Sequence, residues 1–307
     1  MWRMLLLAYD GSDDAADAIR AAGVLFPGAE ATVVVVRGLT IVQAHGSLAR
    51  LALPDGVIGE TADTFEREAD ERAQAVADKG VEVARGAGLD AHGAIRVDTS
   101  AWRAIAATAL ELGASAVVCG TRGNGAMSRA VLGSTSTSLL HHAGCPLLVV
   151  PAGPGPLDGP ALIGYDGTDG AKAVLPVAAA LLGDRAAVIT HVWTSPRESF
   201  PGASLEVTPT TFGETASELE RQVRLMADDV AAEGAELARA AGMPARPLTV
   251  QAHGGAWRSL LEAAGEQGAA VLVTGNRGRG AMKSSVLGSV SAGLAHNAEL
   301  PVLVVRG

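Results

Sequence analysis

The stretch GTRGNGAMSRAVLGS, from Gly120 to Ser134, places four closely spaced glycines directly after the apolar run 116–119. A second stretch, GNRGRGAMKSSVLGS, runs from Gly275 to Ser289 and matches the first at ten of fifteen positions. A short apolar run bounded by glycines is typical of a buried strand whose end lies close to a ligand or to another backbone. The chain therefore predicts the same strand, loop and helix start twice.

The similarity extends beyond these two stretches. Trp102 recurs 155 residues later as Trp257, and YDGS from Tyr9 recurs 156 residues later as YDGT from Tyr165. A period this long indicates duplicated domains, because solenoid repeats are only about 20 to 50 residues long. Proline and glycine dominate the segment PAGPGPLDGP between the copies, which is typical of a linker. We predict one domain over residues 1–152, a linker over 153–159 and a second domain over 160–307.

Short apolar runs alternate with helical patterns in each half. The predicted strands of the first half are residues 3–8, 31–36, 94–97, 116–119 and 147–150, and the predicted helices are 13–25, 61–87, 102–112 and 134–143. Strands that are apolar throughout, separated by helices, favour a parallel sheet covered on both faces. We therefore predict an α/β fold with two tandem, doubly wound, five-stranded parallel-sheet domains. Ligands of such sheets bind beyond the carboxyl ends of the strands, where the strand order reverses.

The glycine-rich stretch begins at such a strand end. Glycine has no Cβ, so the loop with Gly120, Gly123 and Gly125 can bring bare backbone N–H groups against a ligand, and consecutive N–H groups form an anion site. A helix is predicted to begin after Gly133, where unpaired N–H groups and the helix dipole favour negative charge. Ser134 either caps this helix or binds a phosphate oxygen. The second copy repeats this predicted phosphate cradle with Gly275, Gly278, Gly280, Gly288 and Ser289.

Charged residues flank the predicted cradle. Arg122 and Arg277 follow the first glycine of each stretch and can add positive charge. Asp10 and Asp166 directly follow the first predicted strand of each half. Each aspartate either accepts hydrogen bonds from a nucleoside or caps the next helix, for which Asp is a favoured residue. Both roles are compatible, because a neighbouring Ser12 can also cap.

Two common nucleotide motifs are excluded. The phosphate-binding pattern G-x4-G-K-[ST] is absent, since Lys283 follows Met282 rather than a glycine. The dinucleotide pattern G-x-G-x-x-G also fails, because Ser128 and Lys283 stand where its third glycine would be. A dinucleotide-dependent dehydrogenase is therefore disfavoured.

Composition narrows the class of protein further. The 307 residues carry a formal net charge of −9, which gives no basic footprint for nucleic acid. Cys119 and Cys145 lack metal-ligand spacing and are interpreted as buried thiols in a reducing compartment. No apolar run approaches the roughly 18 residues of a membrane span. We expect a cytoplasmic protein that binds neither membranes nor nucleic acid and has no metal site of its own.

These motifs resemble those of the universal stress protein family, whose nucleotide-binding members carry G-x2-G-x9-G-[ST] after the fourth strand and an Asp after the first. The resemblance covers nearly the whole chain twice, and residues 146–150 and 301–305 look like the last strand of the family. It implies ATP at the strand ends, Mg²⁺ bound with the phosphates, and a homodimer in which the two halves of a chain also pair through their last strands. The function implied is that of an ATP-dependent regulator of the stress response.

The resemblance also assigns roles to residues. Asp10 and Asp166 would contact the adenosine, and an apolar residue after the second strand, Val192 in the second half, would lie beside adenine. Arg37 stands at the position aligned with Val192 and would either stack on adenine or disturb that pocket. The ribose and phosphates would be held by Gly120, Gly123, Gly133 and Ser134, by Gly275, Gly278, Gly288 and Ser289, and by the backbone N–H groups of Thr135 and Val290.

Two alternatives remain open at this point. The first is a slow ATPase or nucleotidyl-transfer enzyme of the related adenine-nucleotide hydrolase group, which needs a positioned general base or acid. The sequence names no catalytic residue, although Asp98 and His253, each following a predicted third strand, are candidates. The second alternative is a structural dimer whose glycine loops bind nothing.

Overall fold

The computed structural model describes residues 4–39, 55–123, 132–196, 209–276 and 287–306. The chain divides into two compact units, Met1–Pro154 and Gly155–Gly307. The elements of the first unit follow in chain order: β1 (Met4–Ala8), α1 (Asp13–Leu25), β2 (Glu30–Arg37), α2 (Asp55–Gly86), β3 (Asp90–Val97), α3 (Ala101–Glu111), β4 (Ala116–Gly120), α4 (Ser134–His142) and β5 (Leu147–Val150).

The second unit repeats this order of strands and helices. Its elements are β6 (Ala161–Gly164), α5 (Asp169–Leu182), β7 (Ala187–Trp193), α6 (Pro209–Ala240), β8 (Ala245–Gln251), α7 (Ala256–Glu266), β9 (Val271–Gly275), α8 (Ser289–Asn297) and β10 (Val302–Val305). The predicted tandem arrangement of two α/β domains is therefore confirmed.

Within each unit, the described strands pair in parallel. The five described strands of the first unit lie in the order β3-β2-β1-β4-β5, and those of the second in the equivalent order β8-β7-β6-β9-β10. Leu5 on β1 pairs with Ala31 of β2 on one side and with Ala116 of β4 on the other. The strand order thus reverses between β1 and β4, which is where a doubly wound sheet binds its ligands.

Apolar strands form the centre of each unit. Leu5, Leu6 and Leu7 are fully buried, as are Val117 on β4 and Leu148 on β5. Helices cover both faces of the sheet, so neither face of these strands needs polar residues. The described helices include none long and apolar enough to cross a membrane.

Strand β3 is longer than the predicted 94–97. It begins at Asp90 and is the outermost strand of its sheet, with most of its first residues exposed or half-buried. An edge strand tolerates polar residues such as Asp90 and His92, whose side chains hide it from a search for apolar runs. Its backbone still pairs with β2 over the full length of the strand.

Residues of the predicted linker contact the unit on their own side. The backbone N–H of Gly153 donates to Asp17 Oδ2 on α1 at 3.0 Å. Arg185 Nη1 donates to the carbonyl oxygens of Leu157 and Gly159 at 3.0 and 2.6 Å. Burial of this guanidinium lowers the pKa of Arg185 from its ordinary value. Side chains outside the linker therefore hold both of its ends.

Candidate functional site

A cavity of about 1020 Å³ opens at the carboxyl ends of β1, β2 and β4 in the first unit. This volume lies at the upper end of the range for small-molecule sites. Its wall combines apolar side chains with polar groups of the predicted cradle. The predicted site residues that line it are Asp10, Gly120, Arg122, Gly123, Gly133, Ser134 and Thr135.

Asp10 lies in the turn between β1 and α1. Its Oδ1 accepts hydrogen bonds from the backbone N–H and the hydroxyl of Ser12, at 3.0 and 2.6 Å. Ser12 is the N-cap of α1, because its Oγ accepts the N–H of Ala15 at 3.2 Å. Asp10 therefore does not cap the helix directly. It positions the residue that does and keeps its carboxylate at the cavity.

The second unit builds the same turn. Asp166 Oδ1 accepts hydrogen bonds from the N–H and the hydroxyl of Thr168, at 3.1 and 2.6 Å. Thr168 Oγ1 in turn accepts the N–H of Ala171 at 3.3 Å and caps α5. In both units, therefore, the aspartate does not cap the helix itself but hydrogen-bonds to the residue that does.

Gly123 lies against the Asp10 carboxylate. A Cβ placed on Gly123 would stand 2.3 Å from Asp10 Oδ2, far inside any allowed contact. A Cβ on Gly120 would stand 3.0 Å from the carbonyl oxygen of Asp14, which is also tight. Glycine at these two positions thus lets the end of β4 approach the β1–α1 turn at Gly123 and the first turn of α1 at Gly120.

A backbone hydrogen bond joins the two described ends of the glycine stretch in the first unit. The N–H of Gly133 donates to the carbonyl oxygen of Thr121 at 2.7 Å. In the second unit, the N–H of Gly288 donates to the carbonyl oxygen of Asn276 at 2.8 Å. The spacing of the motif therefore has a structural reason, since it brings the end of the fourth strand to the start of the next helix.

Helix α4 begins at the cavity without a side-chain cap. Gly133 is its N-cap residue and no described side chain caps it, and Gly288 has the same role in α8. The first N–H groups of a helix have no partner within the helix and carry its positive dipole end. Ser134 and Thr135 line the cavity at this point, and Ser289 and Val290 are their counterparts at the start of α8.

Ser136 is a residue of the site that the sequence reasoning missed. Its Oγ donates to the carbonyl oxygen of Gly120 at 2.7 Å, and Ser291 does the same to Gly275 at 2.5 Å. These bonds fasten each helix start to the end of the preceding strand. The signal was present in the sequence, because Ser136 recurs 155 residues later as Ser291 within STS and SVS.

The positive charge expected from Arg122 is balanced within the protein. Its Nε lies 3.0 Å from Asp14 Oδ2, and both side chains are about one-fifth exposed. That aspartate oxygen is buried and accepts no hydrogen bond from the described residues, so the pair is held by charge rather than by hydrogen-bond geometry. The residue equivalent to Asp14 in the second unit is Gly170, so this carboxylate is present only in the first unit.

The alignment of Arg37 with Val192 was wrong. The N–H of Tyr9 donates to the carbonyl oxygen of Val34, and that of Tyr165 donates to Thr190. Counted from these equivalent bonds, Val36 corresponds to Val192, and Arg37 corresponds to Trp193. The sequence alignment slipped by one residue because the two halves differ in offset at their start and at their glycine stretches. Val36 lines the cavity, so the first unit has the apolar residue expected beside the base.

Asp98 is held by local backbone. Its Oδ1 accepts the N–H of Ser100 at 2.8 Å, directly before α3, and it is not among the described residues that line the cavity. The N–H of Asp98 donates to the carbonyl oxygen of Arg37, and the N–H of Ala252 donates to that of Trp193. The counterpart of Asp98 in the second unit is therefore Ala252 and not His253.

The structure also shows the surroundings of Trp102 and of the two cysteines. The rings of Trp102 and His142 stack with centroids 4.8 Å apart, which supports a packing role. Cys119 is a buried free thiol that lines the cavity, and its burial raises its pKa to about 12. Cys145 is half-buried rather than buried as expected.

Some predicted residues lie outside the described part of the chain. These are Gly125, Arg277, Gly278 and Gly280. Asp166, Val192, Gly275, Gly288, Ser289 and Val290 occupy positions in the second unit that correspond to the cavity of the first.

Comparison with known proteins agrees with this arrangement. The sequence model of the universal stress protein family matches residues 1–151 and again residues 159–306. A universal stress protein of Mycolicibacterium smegmatis is 34% identical over 218 residues, which are 66% of this chain and 66% of that protein. One of Mycobacterium bovis is 30% identical over 206 residues, which are 63% of this chain and 62% of that protein. The chain thus spans somewhat less than two thirds of these curated relatives.

A solved structure supports the fold alone. The crystal structure of a universal stress protein from Archaeoglobus fulgidus superposes with a TM-score of 0.61 at 20% identity, covering 99% of this chain and 98% of that one. Since the family model matches both halves, the chain belongs to the universal stress protein family, with two such domains in tandem.

Proposed function

We propose that each unit binds one adenine nucleotide, preferably ATP with Mg²⁺, and that occupancy regulates the protein in a stress response. The observation that carries this proposal is the convergence of Asp10, the glycines of the loop and an uncapped helix start on one cavity. The cavity lies at the reversal of strand order, where nucleotides bind to doubly wound sheets.

The wall of the cavity matches the parts of a nucleotide. Val36, Ala73, Val76 and Ile105 offer an apolar surface for a base. The Asp10 carboxylate accepts hydrogen bonds only, which suits the hydroxyls of a ribose. The N–H groups at the start of α4 suit the phosphates.

Gly133 lies close to the end of β4, where the described part of the predicted cradle begins. A Cβ on Gly133 would stand 3.2 Å from the carbonyl oxygen of Thr121, a tight contact that glycine avoids without any shift of the strand end. The phosphates would be held by the N–H groups of Gly133, Ser134 and Thr135, with the Ser134 hydroxyl as a further donor. No group of three potential metal ligands occurs among the described residues, so phosphate oxygens and water would supply most ligands of the Mg²⁺.

Binding is favoured over hydrolysis in the first unit. A general base must come within hydrogen-bond reach of the attacking water. Asp98 was the candidate there, and it is not among the described residues that line the cavity. The proposed role is therefore that of a nucleotide-dependent regulator. A cytoplasmic location and a homodimer remain predictions.

The first test is the release of bound small molecules from freshly purified protein by acid, followed by chromatography and mass measurement. We expect adenine nucleotide at up to about two molecules per chain, because the motif is present twice. Protein without bound nucleotide is then titrated with Mg-ATP by calorimetry. Absence of nucleotide in the extract together with absence of heat on titration would overturn the proposal.

A further inference from the structure

The two units differ at the last residue of their second strand. Arg37 ends β2 and Trp193 ends β7. Their carbonyl oxygens accept equivalent hydrogen bonds, from the N–H of Asp98 at 3.1 Å and from that of Ala252 at 2.7 Å. The two positions therefore correspond in backbone as well as in strand register.

Both side chains point to the same side of their sheet. A Cβ on Gly80 of α2 would stand 2.7 Å from Val33 Cγ1, and one on Gly234 of α6 would stand 2.8 Å from Ile189 Cγ2. Val33 and Ile189 thus face the long helix of their unit. Side chains alternate along a strand, so Arg37 and Trp193, four residues further on, face the same helix.

In the first unit this position forms a polar wall. Arg37 lines the cavity, and its Nε donates to Asp70 Oδ1 on α2 at 2.6 Å. Its Nη1 also donates to the carbonyl oxygen of Gly38 at 3.4 Å. A base that lies here meets an ion pair whose arginine is already engaged by the protein.

In the second unit the same position carries an indole. Trp193 is the last residue of β7 and is only 9% exposed, and by strand alternation it faces α6. Gly80 and Gly234 occupy equivalent positions in the two long helices, because each lies against the Tyr that follows the first strand of its unit. With the helices aligned on these glycines, Met226 stands in place of Arg72, and Arg224 stands in place of Asp70. Arg72 lines the first cavity, so the second unit exchanges two arginines of that wall for an indole and a thioether.

We propose that the two sites recognise the nucleotide differently, with Trp193 as a specificity-determining residue that stacks on or against the base in the second unit alone. This inference rests on the proposed function. Stacking on an aromatic ring depends on the π-face that every base has, whereas it contributes nothing to a ligand without a base. The second site therefore depends more strongly on the presence of a base, and the first relies relatively more on ribose and phosphate contacts.

The test uses the full chain with one site disabled at a time. Asp10→Ala disables the first site and Asp166→Ala the second. In each background, affinity is measured for ATP and for ribose 5-triphosphate, which keeps the phosphates and lacks the base. The substitutions compared are Trp193→Leu and Trp193→Phe in the second site and Arg37→Leu in the first.

We expect Trp193→Leu to weaken ATP binding about tenfold or more, the effect typical of a lost base–aromatic stack, and to leave ribose 5-triphosphate binding unchanged. Trp193→Phe should retain most of the ATP affinity, because it keeps an aromatic face. Arg37→Leu should change the affinity of the first site for both ligands by the same factor. Tryptophan fluorescence should respond to ATP in the Asp10→Ala protein and lose that response in its Trp193→Phe form.

Equal effects of Trp193→Leu on both ligands, or no effect at all, would overturn the inference while leaving nucleotide binding intact. Retained ATP affinity in Trp193→Phe would show that this buried position can be substituted without loss of the fold. Failure of the otherwise unaltered chain to bind ATP is a different result and would refute the proposed function itself.

Discussion

At the scale of single residues, the contact between Gly123 and Asp10 determines how the proposed phosphate cradle and the carboxylate proposed for the nucleoside share one cavity. Their proximity brings the end of β4 and the turn after β1 together, although more than a hundred residues separate them in sequence. The close approach leaves no space for a Cβ. A side chain at position 123 would therefore displace the Asp10 carboxylate, and any effect on ligand binding would follow from that displacement.

The substitution Gly123→Ala should weaken ATP binding to the first site by about tenfold or more, since it displaces the Asp10 carboxylate. The measurement is calorimetry in the Asp166→Ala background. Gly144→Ala is the matched control, because a Cβ there meets nothing within 4 Å. In urea unfolding, Gly123→Ala should lower the free energy of unfolding less when it is added to Asp10→Ala than when it is made alone, because the clash with the carboxylate is then absent and residues in contact are not additive. Additive effects would show that the clash is not the cause.

Cys119 gives a prediction on pH. Burial raises its pKa to about 12, and a hydrogen bond with Ser136 lowers it by a smaller amount. The thiolate is the reactive form, so alkylation of Cys119 in the folded protein should be slow at pH 7 to 9 compared with that of half-buried Cys145. Mass measurement of the alkylated peptides distinguishes the two sites.

The same shift sets a direction for stability. The folded state keeps the Cys119 proton to a higher pH than the unfolded chain does, so this contribution is complete below about pH 9 and is lost as the pH rises towards 12. The free energy of unfolding of Cys119→Ser should consequently fall less over that pH range than that of the unaltered chain. A parallel fall in both proteins would contradict the assignment.

At the scale of the elements, a glycine in each long helix lets that helix approach the sheet. Gly80 of α2 would place a Cβ 2.6 Å from Tyr9 Cδ1, and Gly234 of α6 would place one 2.7 Å from Tyr165 Cδ1. The two halves thus keep the same helix–strand contact. Glycine within a helix costs roughly 0.5 to 1 kcal/mol relative to alanine, so the close packing must offset this.

Gly80→Ala should therefore destabilise the first unit by about 1 to 3 kcal/mol, the usual cost of overpacking a core. Gly86→Ala, at the end of the same helix, should be neutral or stabilising by up to about 0.5 kcal/mol, because its Cβ meets nothing within 4 Å. Urea unfolding followed by circular dichroism measures both. Equal stability of the two variants would show that α2 shifts to accommodate the methyl group.

Many of the helix and strand boundaries were predictable from the sequence. Helix α1 and strand β5 have the predicted bounds, because caps and apolar runs mark their ends. The start of β3 was missed, since polar residues of an edge strand break the apolar pattern. The partners of Arg37 and Arg122 were also not predictable, because Asp70 and Asp14 reach them only through the packing of α2 and α1. Spacing in sequence identifies a motif but not the side chains that fold against it.

At the scale of the whole molecule, the two proposed sites share some structural features and differ in others. The aspartate turn, the closed glycine loop and the serine that fastens the helix start are present in both units. The differences lie around them. Tyr165 donates to Glu233, which also pairs with Lys172 at 2.8 Å, whereas the Tyr9 hydroxyl is buried without a partner among the described residues. The parts that suit phosphates are thus retained, and the surroundings have diverged.

Such a molecule should bind nucleotide at two sites that can be removed one at a time. We expect about two ATP per chain in the unaltered protein, about one in Asp10→Ala or Asp166→Ala, and none in the double variant, by calorimetry at saturating Mg-ATP. Ligand that binds only the folded state raises its stability with concentration, so the thermal midpoint should rise with ATP in each single variant and stay constant in the double variant. Asp17→Asn, on α1 and bonded to the linker rather than to the cavity, is the control and should keep both sites. A single variant that loses both sites would mean that the two units bind nucleotide as one, and a double variant that still binds would place the ligand elsewhere.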